Sequence, residues 1–313
     1  MPYATLSAES EMGAMQNYTF PPIKGVDPER FLPEGTALVL EGGGTRGFFS
    51  SGVFEAFMEA GIMFPYIAGI SAGAANALSY MSGQHFRSRQ IIENYVGSPK
   101  YVSVRNLIFR RSMLNFDFIF REIPQERIFF DWVVLLRQKI SFNSGAFDCE
   151  TGETVWHTLE DMRGRDLTSI MASCAVPVLC HIIEFKGRKL LDGGIASSIS
   201  IEKSIEDGND FHVIVLTRNA GFLREPDSTA KYARLVHRRY PKVAEALDIR
   251  HERYNRQLSI CERLESEGKA LIIRPGKPLE MSRTEKNIPA LLSLHDEGLE
   301  EGRAAVGRIL KNG

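Results

Sequence analysis

The chain has few cysteines, and they are scattered. Its 313 residues include four of them, with no Cys-x-x-Cys pair: Cys149, Cys174, Cys180 and Cys261. This spacing predicts neither a disulfide framework nor a thiolate metal site. Residues 1–20 lack the apolar core of a signal peptide. We therefore expect reduced cysteines that serve as small apolar residues in a cytoplasmic protein.

Long hydrophobic runs and an excess of one charge are also absent. No segment approaches the roughly 18 apolar residues that a membrane-spanning helix needs. The 38 basic and 39 acidic residues give a formal net charge of −1, which argues against a nucleic-acid partner bound through bulk charge. His251 and Glu252 begin a zinc-protease motif, but Asn255 occupies its second histidine position. Neither a metal nor another cofactor is expected.

What the chain does contain is a serine between two glycines at a predicted turn from strand to helix. A short apolar run at 64–68 precedes Gly69, Ser71 and Gly73, and a helical pattern follows them. A side chain at such a turn is held in a strained backbone conformation that exposes its hydroxyl, and the flanking positions must be nearly free of side chain. This pattern predicts that Ser71 is a nucleophile.

A glycine-rich loop lies upstream, at residues 41–47, between a buried-strand pattern and a helical pattern. Backbone N–H groups of a loop that opens a helix point toward negative charge, so Gly43 and Gly44 are predicted to stabilise an oxyanion. The same loop matches the dinucleotide fingerprint Gly-x-Gly-x-x-Gly, which requires a carboxylate at the end of the next strand. Glu59 has about the right offset but lies inside a helical pattern, which disfavours that alternative.

Asp192 is the candidate base. It leaves a short apolar run and enters a double-glycine turn at Gly193 and Gly194. An Asp-Gly pair also marks ordinary hairpins. However, residues 184–188 already predict a hairpin turn, and a second turn so soon afterwards favours a functional aspartate.

Together, these motifs resemble those of the patatin-like phospholipase family, and they occur in the family's order. The resemblance covers residues 36–218 closely. It implies catalytic Ser71 and Asp192, an oxyanion hole at Gly42, Gly43, Gly44 and Arg46, and supporting glycines at Gly47, Gly69, Gly73, Gly193 and Gly194.

The resemblance implies a serine lipid acyl hydrolase acting on carboxylic esters of phospholipids, lysophospholipids or acylglycerols. In the implied Ser-Asp dyad, Asp192 acts on Ser71 without an intervening histidine, and an acyl-enzyme forms. An ordinary aspartate has a pKa of about 3.9 and is a weak base, so we expect Asp192 to be desolvated and within hydrogen-bond reach of Ser71. An acyltransferase would use the same acyl-enzyme. A non-catalytic protein could use the same loop to bind an acyl group or phosphate.

A Ser-Asp-His esterase is a further alternative. The chain has seven histidines, and Ser71, Asp192 and either His212 or His237 satisfy the order of an α/β-hydrolase triad. His212 lies in a strand-like run, where a hydrogen-bonded structural role is expected. His237 lies among arginines, on what we expect to be a solvated helix face.

Three regions are predicted along the chain. Residues 1–35 are polar and contain prolines, which predicts a loosely packed arm. Residues 36–218 alternate strand and helix patterns, which predicts a catalytic α/β domain: a three-layer α/β/α sandwich with a mostly parallel central sheet. Residues 219–313 are predicted to form a mainly helical extension packed on that domain. Within it, residues 231–266 present a solvated charged face, residues 269–274 form a strand, and two short helices end the chain.

The segment 107–132 concentrates aromatic residues among arginines. It contains six phenylalanines and Trp132, interspersed with four arginines. One interpretation is a helical pair packed on the sheet with its arginines in solvent. The other is an acyl-chain groove or lid whose basic rim attracts anionic headgroups. The expected partners are therefore a lipid ester and, peripherally, a membrane surface.

Overall fold

The computed structural model describes residues 31–312, so most of the predicted arm 1–35 lies outside the described residues. The strands are β1 (Thr36–Leu40), β2 (Tyr66–Ile70), β3 (Ser141–Asp148), β4 (Thr154–His157), β5 (Ile183–Phe185), β6 (Arg188–Asp192), β7 (Phe211–Val215) and β8 (Ala270–Ile273). The helices are α1 (Phe48–Glu59), α2 (Ala72–Met81), α3 (Arg87–Ile91), α4 (Val104–Arg110), α5 (Trp132–Arg137), α6 (Thr168–Ser173), α7 (Ile201–Glu206), α8 (Thr229–Val236), α9 (Pro241–Asp248), α10 (Arg250–Ser266) and α11 (Ile288–Asn312). Short 3₁₀ turns (Gly44–Gly47, Leu159–Met162, Gly193–Ile195) and π-helical turns (Ile92–Val96, Phe118–Arg127) complete the regular structure.

The strands within residues 31–312 join one mixed sheet in the order β5-β6-β3-β2-β1-β7-β8, with β4 beside β3. Strands β3, β2, β1, β7 and β8 run parallel. Strands β4, β5 and β6 are added through antiparallel pairs. Helices cover both faces, which confirms the predicted α/β sandwich. Because parallel strands end at the same edge of a sheet, the loops that follow β1 and β2 meet there.

Side chains of β1 alternate between the two faces of the sheet. Leu38 and Leu40 lie in the larger core with residues of α1, α2 and α11, whereas Ala37 and Val39 lie in a second core with residues of α7 and α10. All four are fully buried. Burial on both faces explains why this strand is a continuous apolar run rather than an alternating pattern.

The chain ends in one 25-residue helix, α11, so the predicted pair of short helices is wrong. Glycine inside a helix usually weakens it. Here, however, a Cβ on Gly298 would lie 2.0 Å from the carbonyl oxygen of Phe49 in α1, and a Cβ on Gly52 of α1 would lie 1.9 Å from the carbonyl oxygen of His295. The two helices pack backbone against backbone, and the glycines allow that approach.

The regular structure after residue 218 is helical apart from β8, which pairs with β7 and agrees with the strand predicted at 269–274. The division of the chain at residue 218 stays a prediction. Between residues 31 and 312, no helix combines the length and the apolarity needed to cross a membrane.

Candidate active site

Ser71 occupies the turn between β2 and α2, and β2 begins two residues later than the predicted run at 64–68. Its backbone has φ 53° and ψ −125°, a conformation that non-glycine residues rarely adopt and that is typical of a nucleophile turn. The turn is tight. A Cβ on Gly69 would lie 2.9 Å from the backbone nitrogen of Ala74, and a Cβ on Gly73 would lie 2.8 Å from the carbonyl oxygen of Glu41.

Ser71 and Asp192 meet although 121 residues separate them in the chain. Ser71 Oγ donates a hydrogen bond to Asp192 Oδ2 at 2.7 Å. The other carboxylate oxygen, Oδ1, accepts the backbone N–H of Gly194 at 2.7 Å. Both side chains are buried, with 7% and 6% of their surface exposed. The hydroxyl and the carboxylate can therefore exchange a proton away from bulk water.

Burial raises the pKa of the Asp192 carboxyl above its ordinary value. The positive charge of Arg250 is the largest of the effects that oppose this rise, followed by the hydrogen bonds from Ser71 and Gly194. A raised pKa makes the carboxylate a stronger base, and Arg250 favours the ionised form that a base requires.

The two glycines after Asp192 leave room for its neighbours. A Cβ on Gly193 would lie 2.4 Å from the carbonyl oxygen of Gly145 in β3. A Cβ on Gly194 would lie 3.2 Å from Nη2 of Arg250 and 2.9 Å from Oδ1 of Asp192 itself. Side chains at these positions would push the carboxylate away from Ser71.

Ser173, which no sequence motif marks, fixes the backbone of the nucleophile. Its hydroxyl accepts the N–H of Ser71 at 2.8 Å and donates to the carbonyl oxygen of Gly145 at 2.6 Å. The N–H of Ser71 is therefore occupied, and an oxyanion must find its donors elsewhere.

The glycine loop after β1 has two N–H groups without an acceptor in the part of the chain that the structure describes. Gly42 donates its N–H to the carbonyl oxygen of Ser198 at 3.3 Å, and Thr45 donates its N–H to that of Arg283 at 3.0 Å. Between them, the N–H groups of Gly43 and Gly44 have no acceptor within residues 31–312. Both glycines line the same cavity as Ser71. Gly42 contributes space instead, because a Cβ there would lie 3.2 Å from Cβ of Ser71.

Gly47 and Arg46 end the loop. A Cβ on Gly47 would lie 2.8 Å from Cβ of Ala72, and Asn76 Nδ2 donates to the carbonyl oxygen of Gly47 at 2.8 Å, so the loop is fixed on the start of α2. Arg46 is buried and lines the cavity. Burial, and next the positive charge of Arg218, lowers the pKa of Arg46 to about 10.

Ser71 and Asp192 line a cavity of about 420 Å³ that has an apolar end. The apolar lining includes Leu78, Ile119, Phe120, Ile123, Phe130 and Leu179. Much of it comes from the aromatic segment 107–132, which is compatible with the acyl-groove interpretation. The solvent interpretation describes the arginines of that segment better, since Arg121 pairs with Asp117 and Arg127 with Glu122 at the surface.

The other end of the cavity is cationic. Six arginines line the cavity. Arg87 lies over the ring of Phe130, at 4.9 Å from the ring centre, and we call the other five the arginine cluster: Arg46, Arg218, Arg224, Arg250 and Arg283. Among the described lining residues, Glu41 and Asp192 are the carboxylates. The solvated face predicted for residues 231–266 is wrong for Arg250, whose guanidinium faces the turn after Asp192. No local pattern distinguishes this arginine from its exposed neighbours.

All seven histidines lie within the described residues, and none lines this cavity. His212 Nδ1 lies 3.0 Å from Ser204 Oγ, in the structural role expected for it. His237 is buried rather than solvated, and its Nε2 accepts the N–H of Val178 at 3.2 Å. The geometry therefore brings Ser71 a carboxylate and no imidazole.

The other residues considered for a functional role, the cysteines and Glu59, lie where they serve the structure. All four cysteines are free and buried, and burial raises the pKa of Cys174, beside the dyad, well above the ordinary thiol value. A neutral thiol is a poor nucleophile. Glu59, the carboxylate considered for a dinucleotide site, pairs with Arg303 on α11 at 2.7 Å. No group of three potential metal ligands occurs among His, Cys, Asp and Glu of residues 31–312.

Comparisons with known proteins cover the residues of this site. A family model described as patatin-like phospholipase matches residues 38–203, and one described as a domain of unknown function, DUF6363, matches residues 240–312. The Escherichia coli K12 protein named uncharacterized protein YjjU is 25% identical over 291 residues, which are 90% of this chain and 80% of that protein. The crystal structure of VipD from Legionella pneumophila aligns with a TM-score of 0.45 and 15% identity, over 89% of this chain and 67% of VipD. The first match includes the glycine loop, Ser71 and Asp192.

Proposed function

The chain belongs to the patatin-like phospholipase family, and from this premise we propose that it is a serine acyl hydrolase for carboxylic esters of phospholipids, lysophospholipids or acylglycerols. The observation that carries the proposal is the 2.7 Å hydrogen bond from Ser71 Oγ to Asp192 Oδ2. A buried carboxylate with a raised pKa is suited to take the serine proton directly.

Acylation begins with proton transfer inside the dyad. Asp192 takes the proton of Ser71 Oγ as that oxygen attacks the ester carbonyl carbon. Negative charge develops on the carbonyl oxygen, and the N–H groups of Gly43 and Gly44 stabilise it. As the tetrahedral intermediate collapses, its bond to the alcohol oxygen breaks and Asp192 returns the proton to that oxygen. The alcohol departs and Ser71 keeps the acyl group.

Deacylation repeats these steps with water. Asp192 removes a proton from a water molecule whose oxygen attacks the acyl carbonyl carbon, and the same two N–H groups hold the oxyanion. The bond to Ser71 Oγ then breaks, Asp192 returns the proton to that oxygen, and the fatty acid leaves. One base therefore serves both halves of the reaction without a histidine.

The apolar end of the cavity supports a fatty acyl substrate. Phe120, Ile123 and Phe130 line the same cavity as Ser71 and Asp192. Each methylene removed from water contributes about 0.8 kcal/mol. A long acyl chain therefore gains several times more from this lining than a short one does.

Two exposed helices beside the cavity support contact with a lipid surface. Their exposed apolar side chains are Val104, Ile108 and Phe109 on α4 and Tyr232, Leu235 and Val236 on α8. Arg105 on α4 and Lys231 on α8 are exposed basic residues beside them. Such a mixture of apolar and basic side chains favours an anionic membrane interface.

Both helices adjoin the same cavity-lining loop, residues 176–179. Just after α4, Met113 donates its N–H to the carbonyl oxygen of Leu179 at 2.7 Å. Just after α8, His237 accepts the N–H of Val178. A surface that engages both helices would thus face the cavity.

The test is covalent labelling with a fluorescent fluorophosphonate, followed by peptide mapping by mass spectrometry. The wild type is expected to be labelled at Ser71 and to hydrolyse a long-chain ester. Ser71→Ala is expected to lose both properties, while Ser259→Ala, which removes an exposed serine on α10, keeps both. Labelling of Ser71→Ala at another residue would contradict the assignment. An unlabelled and inactive wild type would favour the alternative of a non-catalytic protein that binds an acyl group or phosphate.

A further inference from the structure

The arginine cluster carries more positive charge than the nearby carboxylates of residues 31–312 can neutralise. Arg224 Nη2 lies 3.5 Å from Oδ2 of Asp227, and Asp227 does not line the cavity. Glu41 accepts the N–H of Thr217 at 2.6 Å, and burial raises its pKa, which disfavours its charged form. Asp192 belongs to the dyad. Three carboxylates therefore face five guanidinium groups, and each of the three also accepts a backbone N–H, from Thr229, Thr217 and Gly194 respectively.

Two arginines of the cluster adjoin the two loops that form the reacting centre. Arg250 approaches the turn after Asp192, with Nη2 3.2 Å from the position of a Cβ on Gly194. Arg283 approaches the glycine loop, with its Cβ 3.1 Å from the position of a Cβ on Gly44. The positive charges of both arginines also reach the dyad, because each lowers the pKa of Asp192.

Donors of the cluster are buried without a partner. Nε of Arg46 and Nε of Arg250 are shielded from solvent and donate to no atom of residues 31–312. Arg218 stacks on the ring of Phe222, with its guanidinium carbon 4.4 Å from the ring centre, and this contact uses no N–H group. Buried donors and buried charges are costly when left unpaired. A multiply charged anion with several acceptor oxygens would satisfy them.

We propose that the arginine cluster binds a phosphate group on the alcohol side of the scissile ester, so that the preferred substrates are acyl lipids with a terminal phosphomonoester. This inference rests on the proposed function. The ester lies at Ser71, and the cluster adjoins the reacting centre through Arg250 beside Gly194 and Arg283 beside Gly44. With the acyl chain at the apolar end, the alcohol faces the cluster. Guanidinium groups pair with phosphate oxygens through two parallel hydrogen bonds. A choline headgroup would place its own cation among arginines, which disfavours it.

The kinetic test compares three substrates with the same acyl chain: lysophosphatidate, lysophosphatidylcholine and monoacylglycerol. Wild-type kcat/KM is expected to be highest for lysophosphatidate. The variants Arg218→Gln and Arg224→Gln change side chains that donate no hydrogen bond to the dyad or to the glycine loop: Arg218 stacks on Phe222, and Arg224 pairs with Asp227. Each is expected to lower kcat/KM for lysophosphatidate about 10- to 100-fold, as the loss of a hydrogen bond to a charged group does. Hydrolysis of monoacylglycerol should change little.

The controls separate charge from folding. Arg308→Gln removes an exposed arginine on α11 and should alter none of the three activities. Arg218→Lys and Arg224→Lys keep the charge and should recover part of the preference for lysophosphatidate. Equal losses on lysophosphatidate and monoacylglycerol would overturn the inference, and so would unchanged preference in both Gln variants.

A binding arm distinguishes a headgroup site from a site for free phosphate. In the Ser71→Ala variant, calorimetric titrations with inorganic phosphate, glycerol 3-phosphate and lysophosphatidate should show lysophosphatidate binding most tightly, and adding Arg224→Gln should weaken all three. Inorganic phosphate binding as tightly as lysophosphatidate would overturn the headgroup assignment. Phosphate-dependent binding by a wild type that hydrolyses no ester would refute the proposed hydrolase while the anion site stands. If the enzyme hydrolyses esters equally well with and without a phosphate on the substrate, the anion site alone is refuted.

Discussion

Thr45 donates its backbone N–H to the carbonyl oxygen of Arg283 at 3.0 Å, which fixes the glycine loop to a segment near the end of the chain. The hydroxyl of Thr45 adds two contacts, donating to the carbonyl oxygen of Ser282 at 3.2 Å and accepting the N–H of Glu285 at 3.1 Å. Gly44, the residue before Thr45, has φ +60° and faces the same carbonyl oxygen of Arg283. The candidate oxyanion donor therefore depends on contacts that no local sequence motif encodes.

Gly44→Ala is expected to lower kcat for ester hydrolysis by about 100-fold or more, the usual loss of one oxyanion donor. A Cβ at this position would lie 2.3 Å from the carbonyl oxygen of Arg283, so the loop must move and carry the N–H of Gly44 with it. Gly83→Ala is the control. Gly83 has a similar φ of +66°, but nothing lies within 4 Å of its added Cβ. The Gly83→Ala variant should lose about 1 to 2 kcal/mol of stability in thermal unfolding and keep its activity. Equal loss of activity in both variants would assign the effect to backbone strain.

Asp192→Asn is expected to lower kcat/KM about 100- to 10,000-fold, because an amide cannot take the proton of Ser71. His212→Ala and His237→Ala should each stay within about 10-fold of the wild type, since neither imidazole lines the cavity and their loss acts through stability. Initial rates on a long-chain ester, with thermal unfolding to verify folding, measure these effects. If one histidine variant loses as much activity as Ser71→Ala does, the catalytic group is a triad and not a dyad.

Arg250→Gln is expected to move the acid limb of the kcat/KM profile to higher pH. Burial raises the pKa of Asp192, and the positive charge of Arg250 lowers it. Removal of that charge lets the pKa rise further, so the base becomes protonated, and activity falls, at a higher pH than in the wild type. The matched control is Arg256→Gln on the same helix, where the arginine is exposed and pairs with Glu202 at 2.8 Å. An acid limb that does not move, or moves to lower pH, would show that Arg250 does not set the basicity of the dyad.

The features that could be predicted from the sequence are those that depend on local backbone geometry. The hairpin at 184–188 forms between β5 and β6, with Lys186 and Gly187 both at positive φ, as a two-residue turn requires. Ser71 at its strained turn likewise follows from the glycines around it. Ser173 and Arg250 could not be predicted in this way, because an ordinary serine on α6 and one arginine among many on α10 acquire their roles only when distant elements pack. The same holds for Gly298, whose role depends on α1.

Phe109→Ser is expected to lower hydrolysis of anionic lipid vesicles about 10-fold or more, because a buried phenylalanine contributes about 1.5 to 3 kcal/mol. Phe109 on α4 is 76% exposed, and its loss removes apolar area without disturbing the core. Rates on a soluble short-chain ester should not change. Ile205→Ser is the control, because Ile205 is an exposed apolar residue on α7, which contributes to the second core on the other face of the sheet. Vesicle activity that falls equally in both variants, or in neither, would contradict a docking role for α4.

Gly298→Ala is expected to destabilise the protein by about 3 kcal/mol, the upper part of the range for overpacking a tight interface. The added Cβ would lie 2.0 Å from the carbonyl oxygen of Phe49, so α11 must move away from α1 and both helices lose contacts. Gly307→Ala tests helix propensity alone. It lies on the same helix with nothing within 4 Å of an added Cβ, and alanine there should stabilise the protein by about 0.5 to 1 kcal/mol. Urea unfolding of the two variants should therefore shift the midpoint in opposite directions. A shift of the same sign in both would mean that helix propensity, and not the close approach to α1, governs this glycine.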